Sequence, residues 1–458
     1  MNPIRYCQIF VLTLCLILTS LPVSARVSSV ATTPKPNTFA PVEDEKFAFG
    51  KVDLDLLSEI NLLDERFEKE GVVFHEKNLD AYLNRVGTAV VADKKLENVE
   101  WKFRALRDPV PNAFALPNGS IYINTGLLAL LDDENQLAAV IAHEITHVSE
   151  RHTYLRNRSL RKIMLTMNII NTIGNWNPIG GPAGLAISLI ASVSPFMLAI
   201  SVLGYSKDQE KEADLEGLKA AAAAGFVPGG MPNSFKAMQK DVEGEQMNSF
   251  YSDHPKLQER VNYTTSSISA DARKLTENEA KIAKSDYLTV MELAARHDVE
   301  LAINEGRFRS AVYVSQKLVS LHPDSSDNVF YLAESYRMLG PRNAELTEQQ
   351  RTSGAKKKAA KTRSKRTLEE QDAELLKTPE GEAAWKTNSE KSETLFLRAL
   401  ELNRFNASAH RGLGMLYERL NRKQEAAGEY AKYLELAPNA IDTERVRRRL
   451  AVLRESMH

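Results

Sequence analysis

Cysteine is almost absent from this chain. Its 458 residues include only Cys7 and Cys15, both within the first 15 positions. The rest of the chain therefore has no thiol that could act as a nucleophile, form a disulfide or bind a metal. Any metal ion bound further along must be held by His, Asp or Glu.

The chain also lacks an excess of charge of either sign. Lys and Arg together number 59 and Asp and Glu 60, which gives a net charge of −1 at pH 7. This balance gives no general reason to expect nucleic acid or a strongly acidic molecule as a partner. A chain of this length is too long for one compact core, so we expect two or three domains.

The first residues have the pattern of a secretory signal. Arg5 precedes an apolar stretch at 9–18, and Val23-Ser24-Ala25 has the small-x-small form of a cleavage site. The alternative is a membrane anchor, but the apolar stretch is shorter than the roughly 20 residues that a span requires. We expect residues 1–25 to be removed after about Ala25, leaving an exported chain without cysteine. Residues 26–44 then form a proline-containing linker.

Residues 45–270 are predicted to form a mainly helical domain with a small β-sheet. Most of this region has helical periodicity, whereas 99–104 alternates apolar and charged residues as a half-buried strand does. A second strand is predicted after the turn signal Pro117-Asn118-Gly119, and it consists of Ser120, Ile121, Tyr122, Ile123 and Asn124. We interpret the second strand as an edge strand that pairs with an extended substrate peptide; a purely structural strand is the alternative.

The last part of the chain, residues 285–458, contains a repeat typical of tetratricopeptide units. One complete unit has the pattern L-G-x-x-Y…A-x-x-x-Y…P, formed by Leu413, Gly414, Tyr417, Ala426, Tyr430 and Pro438. Counting back 34 residues places Phe396 and Ala399 in the second helix of the preceding unit. We therefore predict an α-solenoid, with an unrelated helical bundle as the alternative.

An insertion at about 341–387 interrupts the repeats. Its segment 355–366 contains many Lys and Arg residues and no acid. The pattern is typical of a solvated, disordered loop. An electrostatic contact with anionic lipid head groups or an acidic protein is the other interpretation.

The segment HEITH, at 143–147, carries the strongest chemical signal. On a helix, His143 and His147 project from one face and can share a metal ion. Zinc would lower the pKa of a bound water molecule, and Glu144 could take its proton during attack on a peptide carbonyl. Two ordinary helix histidines remain the alternative for this motif alone, since a protease needs a third ligand.

The third ligand does not follow directly after HEITH. The glycine and third histidine of the metzincin pattern are missing from the residues that follow His147. Further along, Glu210 and Asp214 share one helical face, while Glu212 points away from it. We predict Glu210 as the third zinc ligand and Asp214 as an acceptor for the free N–H of a ligating histidine.

Together these motifs resemble the M48 family of zinc metallopeptidases. The resemblance rests on HEITH, on Glu210 and Asp214 within EKEADLEG, and on residues 112–128, which match the strand and turn before the family's active-site helix. Asn118 departs from the family, whose members often have Gly there. The resemblance covers about 45–265 and implies a helical zincin-type fold with one Zn²⁺ per chain.

The sequence Ser252-Asp253-His254-Pro255, followed by Glu259-Arg260, resembles the family's downstream His-Pro…Arg motif. His254 could be a fourth ligand, could stabilise the oxyanion, or could simply pack in a turn. A catalytic zinc keeps one position open, so ligation by His254 would make the enzyme latent. We hypothesise that His254 belongs to a movable lid.

A stretch without charge lies between the expected ligands, at 163–206. A single crossing of a membrane there would place His147 and Glu210 on opposite sides of the bilayer, and a second crossing would bury several Asn residues. We expect a buried helical hairpin that covers the site, with shallow, peripheral membrane contact as the alternative.

With its signal and repeats, the chain resembles the periplasmic beta-barrel assembly-enhancing subgroup of that family. This resemblance implies a metalloendopeptidase that degrades unfolded or misassembled outer-membrane proteins in the periplasm, peripheral to the outer membrane. The repeats would dock it to the outer-membrane assembly machinery, since stacked repeats form a concave binding surface. The alternative is a chaperone or scaffold of outer-membrane assembly with a latent metal site.

Overall fold

The fold is taken from a computed structural model, which describes residues 47–92, 95–167, 204–239, 257–268, 277–343 and 367–457. The predicted signal, the linker at 26–44, the basic segment at 355–366 and His254 lie outside the described residues. So does most of the uncharged stretch.

The first part of the chain contains helices arranged around a small sheet. In chain order its elements are α1 (Lys51–Lys69), β1 (Val73–Phe74), α2 (Lys77–Val91), β2 (Lys102–Leu106), β3 (Ala113–Ala115), β4 (Ser120–Asn124), α3 (Thr125–Leu130), α4 (Glu134–Ser149), α5 (His152–Met167), α6 (Lys207–Ala223), α7 (Gly230–Gln239) and α8 (Leu257–Ser267).

Among the described residues of the second part, helices are the only regular elements. Its helices are α9 (Glu277–Asn304), α10 (Phe308–Leu321), α11 (Ser326–Leu339), α12 (Leu368–Leu375), α13 (Pro379–Leu402), α14 (Ala407–Arg419), α15 (Lys423–Leu436) and α16 (Thr443–Glu455). The prediction of a mainly helical chain with a small sheet, followed by tetratricopeptide repeats, is confirmed. Within the described ranges, no helix combines the length and the apolar character needed to cross a membrane.

The sheet has the strand order β1-β2-β4-β3, so β4 is an inner strand. It pairs in parallel with β2 along Ser120–Asn124 and antiparallel with β3. The prediction that 120–124 form an edge strand is therefore wrong. The alternation of side chains identifies a strand but says nothing about how many neighbours it pairs with, and here β3 covers the side that was expected to be open.

The predicted strand at 99–104 is displaced, because β2 begins at Lys102 and continues to Leu106. Phe103 and Ala105 bury their side chains in the apolar core. Arg104, which points to the other face, lies 3.1 Å from Glu68 of α1. The alternation predicts a strand here, and its pairing with β4 runs from Lys102 to Leu106.

Helix α4, which carries HEITH, runs through the centre of the first part. Asp133 caps its N-terminus by accepting a hydrogen bond from the backbone of Gln136. Its residues from Asn135 to Val148 are all buried, and α2, β3, α6 and α7 pack around it. A helix enclosed on every side holds its polar side chains in one orientation, which suits a catalytic site.

The repeats pack in sequence, with α9 against α10, α11 against α13, and α14 against α15. Phe396 and Ala399 are fully buried in α13, at the positions that the repeat register predicts for a second helix. The end of the predicted insertion is not a loop, because α12 and the start of α13 lie within 367–387. Asp372 of α12 is buried between Arg342 and Arg419, at 2.7 and 3.0 Å, so this part is packed onto the repeats.

Helix α9 joins the two parts of the chain. Its N-terminal half contributes Tyr287 and Leu288 to the core that contains α4, and the Tyr287 hydroxyl donates to the carbonyl of Leu128 over 2.6 Å. Its C-terminal half packs with α10 against Ala129 of α3. The first helix of the repeat region, α9, therefore packs into the core of the first domain.

Candidate metal centre

Three side chains from α4 and α6 meet in the interior. The Nε2 atoms of His143 and His147 lie 3.1 Å apart. The Glu210 carboxylate lies 3.7 Å from His143 Nε2 and 3.6 Å from His147 Nε2. The structure thus brings together the three residues that sequence reasoning proposed as ligands.

Two local features place Glu210 opposite the histidines. Ser206 and Gln209 form a reciprocal capping box that starts α6. One face of α6 then packs closely against α4, because Gly217 has no side chain there. A Cβ atom at Gly217 would lie 2.9 Å from the backbone nitrogen of His143, so a larger residue would push the two helices apart.

The geometry of this cluster fits zinc. The three ligand atoms all lie within 4.8 Å of one another, and a tetrahedral zinc with bonds of roughly 2.0–2.1 Å spaces its ligands about 3.4 Å apart. His143 is 8%, His147 1% and Glu210 0% exposed. Two imidazoles and one carboxylate are a donor set of catalytic zinc sites, which leave a fourth position open.

The outer nitrogen of His143 is held by a carboxylate. Its Nδ1 lies 2.8 Å from Asp214 Oδ1. Asp214 also accepts hydrogen bonds from the Tyr263 hydroxyl and the Arg260 guanidinium. Burial by itself would raise the pKa of Asp214, but Arg260 and His143 hold that pKa well below its usual range. Asp214 is therefore an anion that accepts the His143 N–H, which leaves Nε2 free to bind a metal.

The outer nitrogen of His147 has a different partner. Its Nδ1 lies 2.9 Å from Nδ1 of His152, and the Nε2 atom of His152 lies 3.3 Å from Glu212. The ring of Tyr205 stacks on His147 with centroids 3.9 Å apart, and its hydroxyl bonds Thr153 over 2.8 Å.

Sequence reasoning assigned no role to His152 and placed Glu212 on the far side of its helix. The reason is the turn between α4 and α5. Arg151 adopts a left-handed conformation with φ of 56°, which reverses the chain so that His152 faces back toward His147. Such a turn usually contains glycine, so a non-glycine residue gave no signal in the sequence.

Glu144 lies beside the ligands and is 7% exposed. Burial raises the pKa of its carboxyl to about 7, while His143 and a backbone hydrogen bond from Ala115 act in the opposite direction. A carboxylate with a pKa near neutrality can both take and return a proton at physiological pH.

The family comparison agrees with this geometry. Residues 77–267 match peptidase family M48, and residues 382–441 match a tetratricopeptide repeat. Residues 77–267 are an M48 peptidase domain. The resemblance that the motifs predicted is thereby confirmed, and the match ends at Ser267, the last residue of α8, the helix that carries Arg260.

Three relatives contain a region similar to this M48 domain. The chain is 31% identical over 183 residues to the mitochondrial metalloendopeptidase OMA1 of Schizosaccharomyces pombe, covering 39% of this chain and 50% of that protein. It is 27% identical over 166 residues to the beta-barrel assembly-enhancing protease of Yersinia pestis, covering 35% and 33%. It is 29% identical over 201 residues to the metalloprotease LoiP of Escherichia coli, covering 44% and 73%. The chain thus spans half or less of the length of the first two.

Proposed function

We propose that this protein is an exported, zinc-dependent metalloendopeptidase that acts on misfolded or misassembled outer-membrane proteins in the periplasm. The observation that carries the proposal is the convergence of His143, His147 and Glu210, with Glu144 beside them in the buried centre of an M48 domain.

The chain's own residues supply the positioning and the proton transfer. When bound, zinc would polarise the scissile carbonyl and acidify the attacking water. Glu144 is placed to take a proton from that water at its carboxylate and to pass it to the departing amine. Asp214 keeps the His143 imidazole in the tautomer that leaves Nε2 available for the metal.

The open edge of the sheet suggests how a peptide binds. The backbone N–H of Leu116 and the backbone carbonyl of Asn112 hydrogen-bond to Ser120 and Asn124 at the ends of β4. Because these groups alternate in direction along a strand, the N–H and C=O groups of Ala113 and Ala115 point away from β4. Among the described strands none pairs with that side, and the Ala115 backbone already hydrogen-bonds Glu144. We assign the substrate-binding edge to β3 in place of β4.

A peptide on this edge would lie directly beside the general base. Main-chain pairing tolerates many sequences, which suits an enzyme that acts on unfolded chains. Ala113 and Ala115 are each 3% exposed, so the edge must become accessible before a peptide can pair with it. The hypothesis of a movable lid that includes His254 would provide such control, and it remains a sequence-based prediction.

The biological setting is proposed from the pattern of the N-terminus and from the relatives. Two of the proteins named above are a beta-barrel assembly-enhancing protease and a bacterial metalloprotease. The tetratricopeptide match supports a protein-binding role for the second half of the chain. We propose that the repeats bind outer-membrane assembly machinery or client proteins.

The test is proteolysis of casein by the wild type and by Glu144→Gln, with the zinc content of both proteins measured. We expect one zinc per chain in both, and a loss of at least about 10²-fold in cleavage rate in the variant, because it lacks a general base. If neither protein cuts casein or a misfolded outer-membrane protein and both assist assembly equally, the chaperone or scaffold function replaces this one.

A further inference from the structure

The two zinc-binding histidines differ in what holds them. His143 donates directly to a buried carboxylate, Asp214. His147 instead faces a second histidine, His152, which is 2% exposed, and its Nδ1 atom lies 2.9 Å from that of His147. In turn, His152 faces Glu212, whose side chain is 50% exposed.

We propose that His152 is a positioning residue for His147 and that Glu212 sets the tautomer of His152. The chain of bonds runs from His147 Nδ1–H to His152 Nδ1, and from His152 Nε2–H to the Glu212 carboxylate. This inference rests on the zinc site proposed above and assigns a task to two side chains that the ligand set does not include.

The direction of both bonds follows from the chemistry of the ligand. The Nε2 atom of His147 faces His143 and Glu210, so it must be unprotonated to bind a metal. A neutral imidazole then carries its proton on Nδ1. Because two N–H groups cannot face each other over 2.9 Å, His152 must accept at Nδ1 and carry its own proton on Nε2.

Glu212 favours that tautomer because it lies 3.3 Å from His152 Nε2. A carboxylate accepts hydrogen bonds and cannot donate them when ionised, so it selects the form of His152 that is protonated on Nε2. If Nδ1 carried the proton instead, His147 would be forced into the tautomer that cannot bind zinc through Nε2.

The residues around His152 fix the orientation of its ring. The left-handed turn at Arg151 directs the His152 ring toward His147. The ring of Tyr205 stacks on His147, and its centroid lies 6.0 Å from that of His152. The arrangement is therefore a fixed second layer around the ligand, of the kind whose loss usually weakens metal binding by about 10–100-fold.

Two amide substitutions separate this role from simple packing. In Asn the polar atoms lie two bonds from Cβ, as Nδ1 does in His, so His152→Asn keeps an acceptor for His147 but cannot reach Glu212. In Gln they lie three bonds away, as Nε2 does, so His152→Gln keeps the size and the contact with Glu212 but removes the acceptor.

The experiment measures the zinc dissociation constant of the full chain by competition with a chelator, and the unfolding midpoint of each zinc-free protein. We expect His152→Asn to bind zinc within about threefold of the wild type, and His152→Gln to bind it about 10–100-fold more weakly. Unchanged midpoints without zinc would show that both variants fold. A packing role predicts the opposite order, because Gln is closer to His in size.

Glu212 has a matched control one turn along the same helix. Glu216 is also about half exposed and pairs with Lys219 on the surface. Glu212→Ala should weaken zinc binding by less than about tenfold, since water can replace part of its contact, whereas Glu216→Ala should leave it unchanged.

Equal affinities of the Asn and Gln variants, or equal effects of the two Glu substitutions, would overturn the inference. A wild-type protein that binds no zinc would instead overturn the proposed function.

Discussion

Nη2 of Arg260 lies 2.6 Å from Oδ1 of Asp214, and this ion pair is enclosed in the interior of the M48 domain. Arg260 is 1% and Asp214 0% exposed, and the guanidinium also covers the ring of Phe235 at 4.1 Å. The pair supports the carboxylate that contacts His143, so Arg260 of the downstream motif acts on the candidate metal centre through Asp214.

Arg260→Met should therefore destabilise the zinc-free protein strongly. It leaves Asp214 buried without its main counter-charge, which typically costs about 3–5 kcal/mol. Urea unfolding would measure the loss. Arg447→Met is the control, because Arg447 is 60% exposed and pairs with Glu444 on the surface, where a pair contributes about 0–1 kcal/mol. A loss of under about 1 kcal/mol for Arg260→Met would contradict this account.

Ala113→Pro should impair cleavage without unfolding the protein. The N–H of Ala113 points to the open side of β3, where proline is tolerated, and proline removes the bond that a substrate would accept. We expect KM for a peptide substrate to rise at least about threefold, the equivalent of one hydrogen bond. Ala113→Ser keeps the N–H and should retain the wild-type KM. Equal kinetics for the two variants would mean that substrate does not pair at Ala113.

Lys317 is predicted to tie the first repeat to the M48 domain. Its Nζ atom donates to the carbonyls of Ala129 and Leu130, at 3.0 and 3.2 Å, and lies 3.2 Å from Asp132. Lys317→Met should lower the free energy of unfolding by about 1–3 kcal/mol, since it leaves buried carbonyls unpaired. Lys219→Met, at an exposed pair with Glu216, should change it by less than about 0.5 kcal/mol. Similar effects of the two would argue against a rigid junction.

The junction should also weaken as the pH rises. Burial raises the pKa of Asp298 to about 7, with Asp108 and Glu305 adding to the shift, while the hydrogen bond from Thr125 and the charge of Arg307 oppose it. The folded state thus holds a proton that the unfolded state releases above about pH 4. The stabilisation is complete below that pH and is lost as the pH rises through 7.

Asp298→Asn provides the measurement. The amide keeps an acceptor for the Thr125 hydroxyl but does not titrate. Between pH 5 and pH 8 the wild type should lose on the order of 2 kcal/mol more than the variant in urea unfolding. Parallel pH profiles for the two proteins would show that Asp298 is not protonated in the folded state.

Much of the site could be predicted from the sequence because its signals are local. Two histidines four apart on a helix must share a face, and the same holds for Glu210 and Asp214. The strand at 120–124 and the repeat register likewise follow from side-chain periodicity over a few residues. The structure has the strand and the repeat helices at these positions and brings His143, His147 and Glu210 together, while the roles of these side chains stay predictions.

The features that the sequence did not reveal depend on contacts between segments that are distant along the chain. The inner position of β4 is set by β2 and β3, which pair with it from either side. The helical end of the insertion is held by the contacts of Asp372 with Arg342 and Arg419. The hydrophobic periodicity within each segment does not indicate either arrangement.

The sequence by itself determined which side chains could bind a metal, since His143, Glu144, His147 and Glu210 belong to local motifs on two helices. Only the tertiary structure decided what surrounds them. A left-handed turn at Arg151 brings His152 to His147, and Gly217 lets α6 approach α4 closely enough for Glu210 to complete the cluster. Periodicity records the face on which a side chain lies, whereas its partners depend on how the chain folds back on itself.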